Sequence, residues 1–165
     1  MLLFSFDAET DGLYGEAFAI GAVVVEESGQ VTASFGGKCV APGVASVWVR
    51  ENCLPHLDRL PDYDSREALR EAFWAFYLQY RSTAVPVADV PYPVEAQLLR
   101  ACVQHDPEER TWLAPFPLID VASAFFAKGL DPHTDRMAFS GFTGRPHDPV
   151  CDATASALCL LRLLR

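Results

Sequence analysis

The chain has 165 residues, half of them apolar, with 11 Phe, 5 Tyr and 3 Trp; that excludes a disordered, coiled-coil or collagenous protein. A typical domain of about 150 residues predicts that residues 1–165 form one domain. Lys and Arg total 13 against 22 Asp and Glu, a formal net charge of −9. Such a body repels phosphate at long range, which argues against a protein that coats DNA or RNA.

The five cysteines (Cys39, Cys53, Cys102, Cys151, Cys159) are odd in number and include no CxxC pair. They read as buried thiols in a reducing compartment, not as a disulfide framework or a zinc site. No apolar run approaches the ~20 residues of a membrane helix. The start MLLFSFDAET lacks the basic opening of a signal peptide. The chain is therefore expected to be cytoplasmic, with no membrane partner.

Leu2 to Phe6 and Phe18 to Val25 are apolar, strand-like runs, and Val31 to Val40 is a third after the Ser28-Gly29 turn. Short connections make these an antiparallel meander. Ala41-Pro42-Gly43 and the Pro55 to Tyr63 stretch read as connections. Asp64 or Ser65 caps a helix that turns Ala68, Leu69, Ala72, Phe73, Phe76, Tyr77 and Tyr80 to one face. Ala84 to Ala88 is a strand ending at Asp89, and a helix starts at Pro93 with Val94, Leu98, Leu99 and Cys102 inward. A strand at Phe116 to Ile119, a helix at Val121 to Ala127 stopped by Gly129, and a last helix from Asp148 to Leu164 follow. This order predicts an α/β fold, a mixed five-stranded sheet flanked by helices.

The first strand runs into Asp7-Ala8-Glu9-Thr10-Asp11-Gly12-Leu13. Residues i and i+2 of a strand share a face, so Asp7 and Glu9 project together, and adjacent like charges raise each other's pKa unless a cation lies between them. A divalent metal is the simplest such cation. His147-Asp148-Pro149-Val150-Cys151-Asp152-Ala153 opens the last helix. His147 precedes the cap and Asp152 lies in the first turn, so both can address one site. Ordinary roles also exist: a carboxylate on the helix dipole for Asp152, an exposed loop imidazole for His147.

The motifs DAETDGL (Asp7 to Leu13) and HDPVCDA (His147 to Ala153) resemble the first and third motifs of the DEDDh 3′→5′ exonucleases. That superfamily includes ribonuclease T, oligoribonuclease and the proofreading subunit of bacterial DNA polymerase III. The similarity spans essentially the whole chain, and Trp48-Val49-Arg50 through Leu54-Pro55 is also similar to a small actinobacterial ribonuclease branch. The middle motif departs from the pattern. Tyr92 matches its aromatic residue, but Pro93 stands in the aspartate's place. Asp89 and Glu95 are the acids that can substitute, and Asp89, ending a central strand, is the preferred one.

The resemblance implies a ribonuclease H-like fold and two Mg²⁺ or Mn²⁺ ions held by Asp7, Glu9, Asp89 and Asp152. It makes His147 the general base in hydrolysis of a 3′-terminal phosphodiester, releasing nucleoside 5′-monophosphates. Thr10, Leu13, Phe142 and Arg145 are candidate substrate contacts, with stacking more important than charge. The expected partner is a nucleic acid with a free 3′ end, single-stranded and more in keeping with RNA than with duplex DNA; a homodimer is also implied. The alternative is a nucleic-acid-binding module of the same fold whose altered middle motif has impaired catalysis. Two bound dications would contribute +4 locally, so the −9 disfavours long duplexes, not a short 3′ end.

Overall fold

The computed structural model of the chain describes residues 1–40 and 45–165, so the Ala41-Pro42-Gly43 connection lies outside the described residues. The meander is present as β1 (Leu2–Glu9), β2 (Ala19–Glu26) and β3 (Val31–Lys38), antiparallel throughout. Between β3 and the next strand lie a short helix α1 (Val47–Asn52), a single 3₁₀ turn at Leu54–His56, and α2 (Arg66–Tyr80). β4 (Val85–Ala88) then inserts parallel to β1, followed by α3 (Val94–His105) and α4 (Pro107–Arg110). β5 (Ile119–Asp120) adds parallel to β4, and α5 (Val121–Ala127), α6 (Arg136–Ser140) and α7 (Pro149–Leu163) complete the chain. The sheet order is β3-β2-β1-β4-β5. The fold is α/β, a mixed five-stranded sheet between helices, consistent with ribonuclease H-like topology.

β1 is central, and its alternation sorts the two layers. Phe4, Phe6 and Ala8 face α2 and α3, where Leu69, Phe73, Trp74, Tyr77, Leu98 and Cys102 complete an aromatic-rich core. Leu3 faces the other way, into a core with Val23, Val25, Val87, Phe125 and the buried stripe of α7. Asp7 and Glu9 continue that second face beyond the core. β1 runs two turns of alternation past the apolar segment because β2 pairs with it as far as Glu9↔Ala19.

Caps explain most element starts. The Ser65 side chain accepts from Ala68 N–H at α2 and Asp120 accepts from Ser123 N–H at α5. At α7, Asp148 accepts from both Val150 and Cys151 with Pro149 in the first turn. Three readings shift. Pro93 is the N-cap of α3 and not its first helical residue. The fifth strand has two residues, because Phe116 is 97% exposed and only Ile119 and Asp120 meet β4. The short helices α1, α4 and α6 were not expected, since none is long enough to carry a periodic apolar face. Among the described residues no helix is long and apolar enough to cross a membrane.

One contact seats α7 on the sheet. Gly21 pairs with Asp7 across β1 and β2. A Cβ built on Gly21 would lie 2.3 Å from the Pro149 carbonyl carbon and the Val150 nitrogen. Only a residue without a side chain lets the helix start lie directly on the strand. Gly21→Ala must push α7 outward, at a cost of about 1–3 kcal/mol. Urea unfolding is expected to show that loss; an unchanged midpoint would mean that the helix start is not tightly seated.

Candidate metal centre

The seat of α7 brings its first turn over the end of β1. Carboxylate oxygens of Asp7, Glu9 and Asp152 lie within 4.8 Å of one another. They line a cavity with Asp89, Arg136, Pro146, His147 and Ser156. His147 Nδ1 is 3.5 Å from Glu9 Oε1, and the Trp48 ring meets the imidazole edge-on with centroids 5.2 Å apart. His147 adopts a left-handed backbone, φ 59°, as the chain turns into the Asp148 cap.

These acids are short of positive charge. Asp7 is held well above its ordinary pKa, first by burial and then by the charges of Glu95, Asp152, Glu9 and Asp89. Glu9 is pushed up to about 7, by burial and then by Asp152. Asp152 also rises to about 7, chiefly through burial. His147 is moved the other way, downward, by burial and by the neighbouring His56. Buried carboxylates crowded together without a cation are the environment in which a hard divalent ion binds, and all-oxygen donors suit Mg²⁺ or Mn²⁺. The residues therefore fit the ions that the motifs imply.

The two middle acids differ in what they already hold. Asp89 lies at the end of β4, on the cavity wall, and accepts from Arg136 Nε at 2.7 Å. Burial raises its pKa and Arg136 opposes that. Arg136 also donates to the Pro132 carbonyl at 2.7 Å and to the Thr134 carbonyl, and covers the Phe125 ring 4.4 Å from its centroid. Glu95 is buried, 6% exposed, in the first turn of α3. Its Oε1 accepts from Ala8 N–H at 3.3 Å, beyond the last β1–β4 pair, Ser5↔Val87. With no cation paired to it among the described residues, Glu95 is pushed up to about 7 by burial, and its charge is the largest neighbouring one acting on Asp7.

The candidate substrate contacts are scattered. Thr10 Oγ1 donates to the Gly12 carbonyl at 2.8 Å, closing the turn after β1. Leu13 is 64% exposed, and its carbonyl accepts from Gln97 Nε2 at 3.0 Å, which ties the turn to α3. Asp11 Oδ2 accepts from Ser46 N–H at 2.7 Å and ties it to α1. Phe142 packs against Gly144 of its own loop and lines a separate shallow cavity. Arg145 is ion-paired with Asp58 at 2.6 Å, away from the carboxylates. Among the described residues the cation lining the cavity is Arg136, which sequence reasoning missed. Its partner Asp89 is 47 residues away in the chain, so no local spacing could have announced the pair.

The sign of the pH dependence follows. Glu9, Glu95 and Asp152 keep protons in the fold up to about pH 7, whereas the unfolded chain releases them near pH 4. The native state then binds more protons, so metal-free stability falls as pH rises from about 4 through 7. Asp7→Asn removes one of the crowded charges and is expected to melt higher than the parent at pH 8 without divalent ions, by several degrees at on the order of 2–4 °C per kcal/mol. Thermal unfolding in a chelator checks this, and a lower midpoint would show that Asp7 is not an uncompensated charge. The site is read from its own residues: no protein-family model matches the chain, and no curated protein does.

Proposed function

We propose that the chain is a metal-dependent 3′→5′ exonuclease of the DEDDh type, acting on short single-stranded nucleic acid with a free 3′ end. The observation that carries the reading is the convergence of Asp7, Glu9 and Asp152 within 4.8 Å, with His147 at their edge. Two motifs 140 residues apart by number, one on β1 and one opening α7, come together there, which supports the reading.

Asp7, Glu9 and Asp152 would hold the ions, and Glu95 is assigned the fourth position because it is buried, is the strongest charged neighbour of Asp7 and pairs with no cation among the described residues. Asp89 is already ion-paired with Arg136 and would act as a rim residue that fixes the guanidinium. Bound Mg²⁺ or Mn²⁺ would supply Lewis acidity and the positive charge that a phosphodiester requires in so acidic a cavity. His147 is the proton acceptor. Its lowered pKa keeps it neutral near pH 7. With Nδ1 turned to Glu9, Nε2 is left to take a proton from water. Trp48 packs on the ring and restricts its rotation. Leu13, exposed at the tip of the turn after β1, would wedge against a terminal base, and its exposure and the tethering of the turn on both sides by Gln97 and Asp11 support that role. A net charge of −9 gives no long-range pull on a polyanion, which favours a short end over a long duplex.

A 3′-labelled oligonucleotide incubated with the folded protein and Mg²⁺ or Mn²⁺ is expected to release labelled mononucleotide. Asp7→Ala is expected to abolish release while circular dichroism stays unchanged. No release with either ion would remove the enzyme and leave the binding module. For the fourth acid, Glu95→Gln is expected to weaken Mn²⁺ binding by about tenfold or more, and Asp89→Asn to weaken it less. The reverse order in calorimetry would return that role to Asp89.

A further inference from the structure

Glu9 also belongs to a second constellation, whose donors are softer. Cys53, which caps the end of α1, approaches it from one side with Sγ 3.5 Å from Oε2. His147 approaches from the other with Nδ1 3.5 Å from Oε1. One ligand atom each from Glu9, Cys53 and His147 lies within 4.8 Å of the others. In a tetrahedral site with Zn–S of about 2.3 Å and Zn–N and Zn–O of about 2.0 Å, neighbouring donors stand about 3.3–3.5 Å apart. Sulfur and imidazole nitrogen each stand 3.5 Å from a carboxylate oxygen of Glu9, Sγ from Oε2 and Nδ1 from Oε1, so a small rotation of that carboxylate brings the three donors to such edges. Cys53 is fully buried, whereas the His147 side chain is 39% exposed and leaves a way in from solvent.

We propose that Glu9, Cys53 and His147 form a binding site for Zn²⁺ or a similarly thiophilic divalent ion, overlapping the carboxylate cluster at Glu9. Thiol, imidazole and carboxylate together select against Mg²⁺, which prefers oxygen alone. Binding forms metal–sulfur, metal–nitrogen and metal–oxygen bonds, with a fourth position for water. The Cys53 thiol proton passes to solvent and no electrons are exchanged. Burial and the Glu9 charge push that thiol up to about 12 in the metal-free protein. A dication between the two groups reverses the local field, which is how thiols at metal sites ionise at neutral pH. Occupancy would take Glu9 and the imidazole away from the hydrolytic roles assigned above, so the ion would inhibit. That consequence rests on the exonuclease reading, and the site itself does not.

Titration with Co²⁺ tests the site, because a thiolate ligand gives cobalt an intense near-ultraviolet charge-transfer absorption. One band is expected at one equivalent, displaced by Zn²⁺, surviving a large excess of Mg²⁺ and absent in Cys53→Ser. No band in the parent, or a band that persists in Cys53→Ser, overturns the proposal. Should the buried serine unfold the chain, His147→Ala decides. Its side chain is partly exposed, and Co²⁺ affinity is expected to fall at least about tenfold; undiminished affinity also overturns the proposal. The cobalt band needs no nuclease activity, so an absence of nucleotide release would count against the exonuclease reading alone.

Discussion

The close approach of α7 to β2 at Gly21 is the contact on which the position of the acidic cluster depends. A strand that tolerates no side chain at that point lets a helix start rest directly on the sheet, opposite Asp7. Helix geometry then carries Asp152, one turn further in, over the end of β1, and leaves His147 on the lip. The rest of α7 buries Ala153, Ala157, Leu160, Leu161 and Leu163 against Leu3, Val23 and Val25, so the core that stabilises the domain also aims its acids. Stability and site share one interface, and neither can be shifted without the other.

Electrostatics oppose that arrangement. Asp7, Glu9, Glu95 and Asp152 are driven toward one another by packing that is favourable elsewhere, and each is raised in pKa, first of all by burial. Arg136, the guanidinium lining the cavity among the described residues, is committed to Asp89 and is anchored by two backbone carbonyls and the face of Phe125. A cluster left unneutralised while the cation beside it is tied to a neighbour costs folding stability, and such clusters are enriched at functional sites. The overall −9 acquires a local meaning here, since a handful of its acids are gathered in one buried cluster and not spread over the surface.

Much of this was legible before any coordinates. Period-two alternation places Asp7 and Glu9 on one face of β1, and the Asp148-Pro149 pair marks the start of α7, so the offsets of His147 and Asp152 from that start were readable too. The core faces of α2 and α3 followed from 3.6-residue spacing, with Trp74 added to the buried set. Arg136, Cys53 and Trp48 were not legible as site residues. Arg136 and Trp48 sit in short helices without a periodic face, Cys53 at the end of one, and their partners are 47, 44 and 99 residues away by number. The distinction between Asp89 and Glu95 was also hidden, because it depends on which acid a distant arginine reaches.

Sequence by itself determined the long elements, the sheet's mixed character and the two acidic motifs at opposite ends of the chain, because these rest on local periodicity, caps and turn residues, whereas the short helices carry no such period. Tertiary structure alone decided which charges meet and which are neutralised. That decision is physical: backbone register and a side-chain-free strand position set distances of a few ångströms between groups, and Coulomb energies and desolvation depend on those distances, not on position along the chain.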